Sequence, residues 1–176
     1  METNPHHFAG VIGDEGATQL WERGTPSNFF TSSYYNGSNA WVTDLDADIP
    51  EADLMCELWT PNFNFTASGT YTVSFVRSQE TYYTNAPAAA KMYYSTNKGL
   101  SWTQLGSSSS GGTNWYTSDP HTAIFSDGDG WIRDATKKTT SHDVSSLAGN
   151  ANVCFKIVFA IEDGFSSGVG YAIDGI

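Results

Sequence analysis

The sequence predicts an all-β fold, a two-sheet antiparallel jelly-roll β-sandwich. Three observations predict it. Short runs that alternate apolar and polar residues recur every ten to fifteen residues, separated by Gly, Asn, Asp, Ser and Pro. No stretch sustains a helical period. The composition is rich in Gly, Ser, Thr, Asn, Tyr and Trp and poor in Lys, Glu and Leu, the usage of an extracellular all-β domain.

The elements follow in order. Residues 1–16 read as loop, with one apolar stretch from Phe8 to Ile12. Leu20–Arg23 is a short strand closed by Gly24-Thr25-Pro26, and a polar aromatic loop runs on to Asn39. Ala40–Leu45 is a strand that opens into the acidic loop Asp44 to Asp48. Asp53–Thr60 alternates, with Leu54, Cys56 and Leu58 on one face and Met55, Glu57 and Trp59 on the other, until Pro61 ends it. Phe63 and Phe65 form a short alternating piece. Thr70–Arg77 is the clearest strand, setting Tyr71, Val73 and Phe75 against Thr72, Ser74 and Val76. Met92–Tyr94 and Trp102–Leu105 form a hairpin about Asn97-Lys98-Gly99, where Asn and Gly favour a turning backbone. A Ser/Gly-rich loop from Gly106 to Pro120 contains Asn114-Trp115-Tyr116. Ile124 and Phe125 precede the turn-like Asp127-Gly128-Asp129-Gly130. Lys138–Val144, Val153–Ile161 and Tyr171–Ile176 complete the strands, with Phe155, Ile157 and Phe159 on one face of the second.

The 176 residues suit one domain spanning 1–176. Eight basic residues against nineteen acidic ones give a net charge of -11, which argues against nucleic acid and anionic membranes as partners. No apolar run approaches the length of a membrane span. Met1 leads straight into polar residues, and both ends read as those of a piece of a longer secreted protein. Cys56 and Cys154 lie in strand-like runs, and neither has a second Cys or His at metal-ligand spacing. A disulfide between them and two buried thiols are both open readings.

Two resemblances add to this. Ser95 to Trp102, S-T-N-K-G-L-S-W, resembles the Asp-box hairpin of sialidases and many secreted β-proteins, a folding device in which Ser and Asn side chains bond the turn and Trp plugs it. Several further strings stand in a familiar order. They are W-E-R-G-T-P from Trp21, S-N-A-W-V-T-D-L from Ser38, L-W-T-P from Leu58 and F-N-F from Phe63, then Asn114-Trp115-Tyr116. S-H-D-V from Ser141, L-A-G from Leu147, F-K-I-V-F from Phe155 and G-Y-A-I-D-G-I from Gly170 complete the set. Together, from about Trp21 to the end, the chain resembles the MAM-like jelly-roll module of large secreted proteins from Bacteroidetes-type bacteria. It departs from that pattern at Ala88-Ala89-Ala90, where an acidic residue is common, and at Asp174-Gly175, where Asp-Asp or Asp-Asn is usual. The resemblance implies a concanavalin-like or galactose-binding-like jelly roll, secreted or at the cell surface, accessory to peptidases, glycoside hydrolases or adhesins. It also implies first and last strands lying side by side, with a structural calcium at such a junction, and it favours loop packing for Asn114-Trp115-Tyr116.

Catalytic chemistry finds little footing in the residues. The four histidines are scattered, and Ser141-His142-Asp143 are neighbours on a strand, which point to opposite faces. The domain is therefore expected to be no enzyme. Carbohydrate binding is expected from loop aromatics, because sugar rings stack their CH faces on aromatic planes. The candidates are Tyr34, Tyr35, Tyr82, Tyr83, Trp115 and Tyr116. The alternative is a structural, protein-interaction or adhesion module beside a secreted enzyme. The expected partners are thus a glycan or a neighbouring domain of the parent protein, and the expected state is a monomer. One structural calcium is expected from carboxylates grouped in loops, which supply the six to eight oxygens the ion takes. The candidates are Asp14, Glu15, Asp44, Asp46, Asp48 and Asp174, with Asp127 to Gly130 as a second place.

Overall fold

The computed structural model describes residues 8–12, 20–25, 39–45, 54–80, 88–118, 125, 129–132, 134–161 and 170–176. Among them the strands are β1 (Ala9–Ile12), β2 (Trp21–Gly24), β3 (Ala40–Thr43), β4 (Leu54–Trp59), β5 (Thr72–Glu80) and β6 (Ala88–Ser95). These are followed by β7 (Thr103–Gln104), β8 (Thr117–Ser118), β9 (Asp129–Ile132), β10 (Asp134–Asp143), β11 (Cys154–Ile161) and β12 (Gly170–Asp174). One 3-10 turn, Ser145–Leu147, interrupts the β structure.

The strands form two antiparallel sheets, the jelly-roll sandwich. The larger runs β1-β4-β11-β6-β9-β8, with β7 also paired to β6, and the smaller runs β10-β5-β12-β3-β2. Alternation builds the core between them. β11 turns Phe155, Ile157, Phe159 and Ile161 inward, where they join Cys56 and Leu58 of β4 and Met92 of β6. From the smaller sheet come Val73 and Phe75 of β5 and Tyr171 and Ile173 of β12. Aromatic contacts lock the two sheets: Phe75 meets Trp131 edge-on at 5.4 Å, and Phe159 meets Tyr171 at a tilt at 5.9 Å.

The inner face of β5 continues with Arg77 and Gln79, both buried. Their partners explain how they are tolerated. Arg77 Nε donates to Thr140 Oγ1 at 3.0 Å, and Gln79 Nε2 crosses the sandwich to the Ala88 carbonyl at 3.0 Å.

Several elements differ from the sequence reading. Phe8–Ile12, read as part of a loop, contributes β1, because Ala9 to Ile12 pair with Trp59 to Cys56. β6 begins at Ala88, four residues before Met92, because Ala88, Ala89 and Ala90 lie against Ile161, Ala160 and Phe159. Pairing on a buried sheet outweighs alanine's weak strand preference. Asp129-Gly130, read as a turn, lies in β9 beside Thr117 and Ser118. β10 starts at Asp134 and shifts register before Lys138. β3 ends at Thr43 because Asp44 adopts φ 73°, and its N–H then bonds the Leu20 carbonyl at 2.9 Å. The first and last strands do not lie side by side: β12 sits between β5 and β3, and β1 forms an edge of the opposite sheet.

Cys56 and Cys154 are free, buried thiols, which decides between the two open readings. Cys56 stands opposite Phe159, and Cys154 is five residues further along that strand. At the rise of a strand this separates them by roughly 16 Å, far beyond the reach of a disulfide.

Candidate binding site on the outer face of the larger sheet

The outer face of the larger sheet carries one continuous row of side chains. Trp59 of β4 stands opposite Lys156 of β11, Lys156 opposite Tyr93 of β6, and Tyr93 opposite Gln104 of β7. The period of two that sends Leu58, Ile157 and Met92 into the core sends these four outward. All four are half-buried. Trp102, from the turn between β6 and β7, folds over the row and meets Trp59 edge-on at 4.8 Å.

Glu57 and Lys156 fix this arrangement. Lys156 Nζ lies 2.5 Å from Glu57 Oε1, and Glu57 Oε2 accepts the Trp59 indole N–H at 2.6 Å. The same ammonium sits over three rings, 4.9 Å from the Trp102 centroid, 5.6 Å from Tyr93 and 6.0 Å from Trp59. Carboxylate and ammonium thereby hold the rings in one geometry. Further up the face, Val158, Ala160 and Ala89 are buried with Phe125, whose ring lies 4.7 Å from Lys91 Nζ. Lys91 also donates to Gln104 Oε1 at 3.1 Å, which ties the end of the row to the next one.

The turn that delivers Trp102 is internally bonded. Ser95 Oγ accepts the N–H groups of Asn97 at 3.2 Å and Gly99 at 2.9 Å, and donates to Asn97 Oδ1 at 2.7 Å. Asn97 Oδ1 also accepts the Ser101 N–H at 3.0 Å. Gly99 is required here. Its φ is +85°, and a Cβ would stand 2.8 Å from the Trp59 ring.

Of the residues expected to bind sugar, Trp115 and Tyr116 are 6% and 5% exposed and belong to the core. Trp115 stacks on His142 at 4.5 Å, and Tyr116 meets Trp131 at 4.8 Å. The Tyr116 hydroxyl accepts the Met92 N–H at 2.8 Å and donates to the Met92 carbonyl at 3.0 Å. Neither ring has a face open to a sugar, so both are corrected to core residues. Tyr34, Tyr35, Tyr82 and Tyr83 lie outside the described residues.

Of the expected calcium ligands, Asp14, Glu15, Asp46 and Asp48 lie outside the described residues. The two that are described do not meet. Thr43 sits level with Tyr171, whose N–H bonds Thr43 Oγ1 at 2.8 Å. Asp44, next after Thr43, comes level with Gly170, four residues along β12 from Asp174 and on the order of 13 Å away, so one ion cannot take both. Asp174 Oδ1 accepts the Gly175 N–H at 2.8 Å, and Asp129 Oδ1 accepts the Ser108 N–H at 2.8 Å. Among the described residues no three His, Cys, Asp or Glu side chains converge.

Ser141, His142 and Asp143 are the last three residues of β10. Asp143 accepts the Ser145 N–H at 2.9 Å, and His142 Nδ1 pairs with the Gly111 carbonyl at 3.1 Å, so these two side chains serve separate structural bonds, while the Ser141 backbone pairs with Thr113. The row on the larger sheet went unnamed in the sequence because its members come from four strands. The outward alternation of Glu57 and Trp59 was the one local signal for it.

No family model matches the chain, and no curated protein matches it. Among solved structures it is similar to a cleaved adhesin domain of Lys-gingipain from Porphyromonas gingivalis. The identity is 17% over 95% of this chain and 86% of that one, with a TM-score of 0.49. It is also similar to the glycoside hydrolase domain of Endo-D from Streptococcus pneumoniae, at 14% identity and a TM-score of 0.42. That match covers 96% of this chain but 20% of the other. At such identities and scores neither likeness carries a statement about ligand or activity.

Proposed function

We propose that this chain is a non-catalytic accessory binding module of a secreted or cell-surface protein, and that its ligand is a carbohydrate. The observation that carries the reading is the cluster of Trp59, Tyr93 and Trp102, all half-buried, around the Lys156–Glu57 pair on the outer face of the larger sheet. Half-buried rings held in fixed orientation are what the CH faces of a sugar stack on, and flanking polar groups serve its hydroxyls. A glycan array probed with the labelled domain tests the proposal. Selective signal on a set of related glycans is expected, and a blank array at high protein concentration overturns it.

A second reading, a protein-interaction or adhesion module, draws on a different observation. Leu100, at the tip of the same turn, is 87% exposed, an apolar group of the kind that anchors protein contacts. We also propose a structural calcium, without Asp174, because β12 lies inside the smaller sheet and β1 at an edge of the larger one. Asp14 and Glu15 follow β1, and Asp46 and Asp48 follow β3. An ion shared by these two connections would relieve the repulsion in a chain of net charge -11.

A further inference from the structure

Resting on the carbohydrate reading, we infer that the ligand is a neutral linear glycan lying across the strands along the row Trp59, Lys156, Tyr93 and Gln104, with Lys156 and Glu57 as positioning residues for the rings.

Three features of the row lead there. The first is its direction. Its four members occupy neighbouring strands, so three inter-strand gaps give it a span on the order of 14 Å. A single sugar covers one member of such a row, whereas an oligosaccharide covers all of it. The gap between strands is comparable to the length of one pyranose unit, so a chain of about four units reaches from the Trp59 ring, past the strand that carries Lys156, over the Tyr93 ring to the Gln104 amide.

The second feature is charge. The Lys156 ammonium is matched by the Glu57 carboxylate, so the row offers no unbalanced positive charge to an acidic sugar. The surrounding chain has a net charge of -11 and repels polyanions. A neutral chain is the class that fits, and its binding is insensitive to salt.

The third feature is rigidity. The Lys156 side chain is only 13% exposed, which leaves little of it for direct contact with a ligand. It instead lies over three rings, while Glu57 holds the Trp59 indole N–H. Rings already fixed in place lose little conformational freedom when a ligand stacks on them.

The experiment is calorimetry on the whole chain with neutral β-linked gluco- and xylo-oligosaccharides from disaccharide to hexasaccharide, and with galacturonic acid oligomers of the same lengths. Affinity for the neutral series is expected to rise with length, level off at about four units, and hold between low and high salt. Tyr93→Leu, which keeps bulk but removes the ring, is expected to weaken binding about tenfold or more at an unchanged thermal midpoint. Lys156→Met is expected to weaken it similarly, and Lys156→Arg to restore it. The double variant Glu57→Gln with Lys156→Met leaves no buried unpaired charge, so it keeps the test valid if Lys156→Met fails to fold. A preference for the acidic series overturns this inference and leaves the carbohydrate reading standing. Neutral-glycan binding that Tyr93→Leu and the double variant leave at wild-type strength does the same. Failure of every oligosaccharide to bind overturns this inference, and a blank glycan array beside it overturns the carbohydrate reading as well.

Discussion

The Tyr116 hydroxyl bonds both the N–H and the carbonyl of Met92, so a side chain from the Ser/Gly-rich loop completes the backbone of β6 inside the core. Tyr116→Phe removes that partner and leaves a buried N–H unsatisfied. It is expected to lower stability by about 1–3 kcal/mol, and an unchanged urea midpoint would show that something else satisfies Met92. Buried titratable groups make a second prediction at this scale. Burial, aided by the Glu57 charge, pushes the Cys56 thiol well above its ordinary 9.0, and burial likewise raises Tyr116 well above its ordinary 10.0. Both folded-state values are raised, so the folded state keeps protons that the unfolded chain gives up. Stability is therefore complete below the unfolded values and falls as pH rises past them, by up to about 1.4 kcal/mol per pH unit for one thiol. Denaturation midpoints between about pH 8 and pH 11 are expected to drop. Cys56→Ala is expected to start lower at neutral pH and to decline less steeply; an identical slope would remove Cys56 as the cause. The sequence made Tyr116 legible as a loop aromatic but not as a core residue, because its burial depends on Trp131 and Met92 arriving from other parts of the chain.

At the scale of elements, the turn from Ser95 to Trp102 was fully legible. Its Ser, Asn and Gly are bonded to one another within seven residues, so the local sequence contains all the partners. Asn97→Ala removes the acceptor for Ser95 Oγ and Ser101 N–H and the donor to Ser101 Oγ. A loss of about 1–2 kcal/mol is expected, read as a thermal midpoint lower by about 2–8 °C. Asn97→Asp keeps the acceptor and is expected to lose less; equal losses would mean that the Asn97 donor, not its oxygen, secures the turn. β1, β9 and the first half of β6 were not legible. Ala88-Ala89-Ala90 and Asp129-Gly130 have no strand preference of their own and become strands only because Ile161 to Phe159 and Thr117 to Ser118 lie beside them.

For the molecule as a whole, charge sets the largest expectation. A net charge of -11 on 176 residues opposes the compact state, and a divalent ion held by carboxylates among Asp14, Glu15, Asp46 and Asp48 would relieve it. Calcium is expected to raise the thermal midpoint, a chelator to lower it, and the combined variant Asp14→Asn, Asp46→Asn, Asp48→Asn to abolish the difference. Ion binding to the folded state alone contributes on the order of 3 kcal/mol at concentrations a hundredfold above the dissociation constant. The same midpoint with calcium and with chelator would leave these acids as surface charge.

The sequence by itself determined the β class, the alternating faces of β4, β5 and β11, and the chemistry of the turn at Asn97. Each of these follows from a period of two or from bonds between near neighbours. Only the tertiary structure decided that the two thiols stay apart, that Asp44 and Asp174 belong to different places, and that Trp115 and Tyr116 face inward. It alone set Trp59, Lys156, Tyr93 and Gln104 in one row, since those residues lie between 11 and 97 positions apart in the chain. Strand order brings them together, and strand order is fixed by which hydrophobic faces find each other across the sandwich, a property of the whole chain that no local pattern encodes.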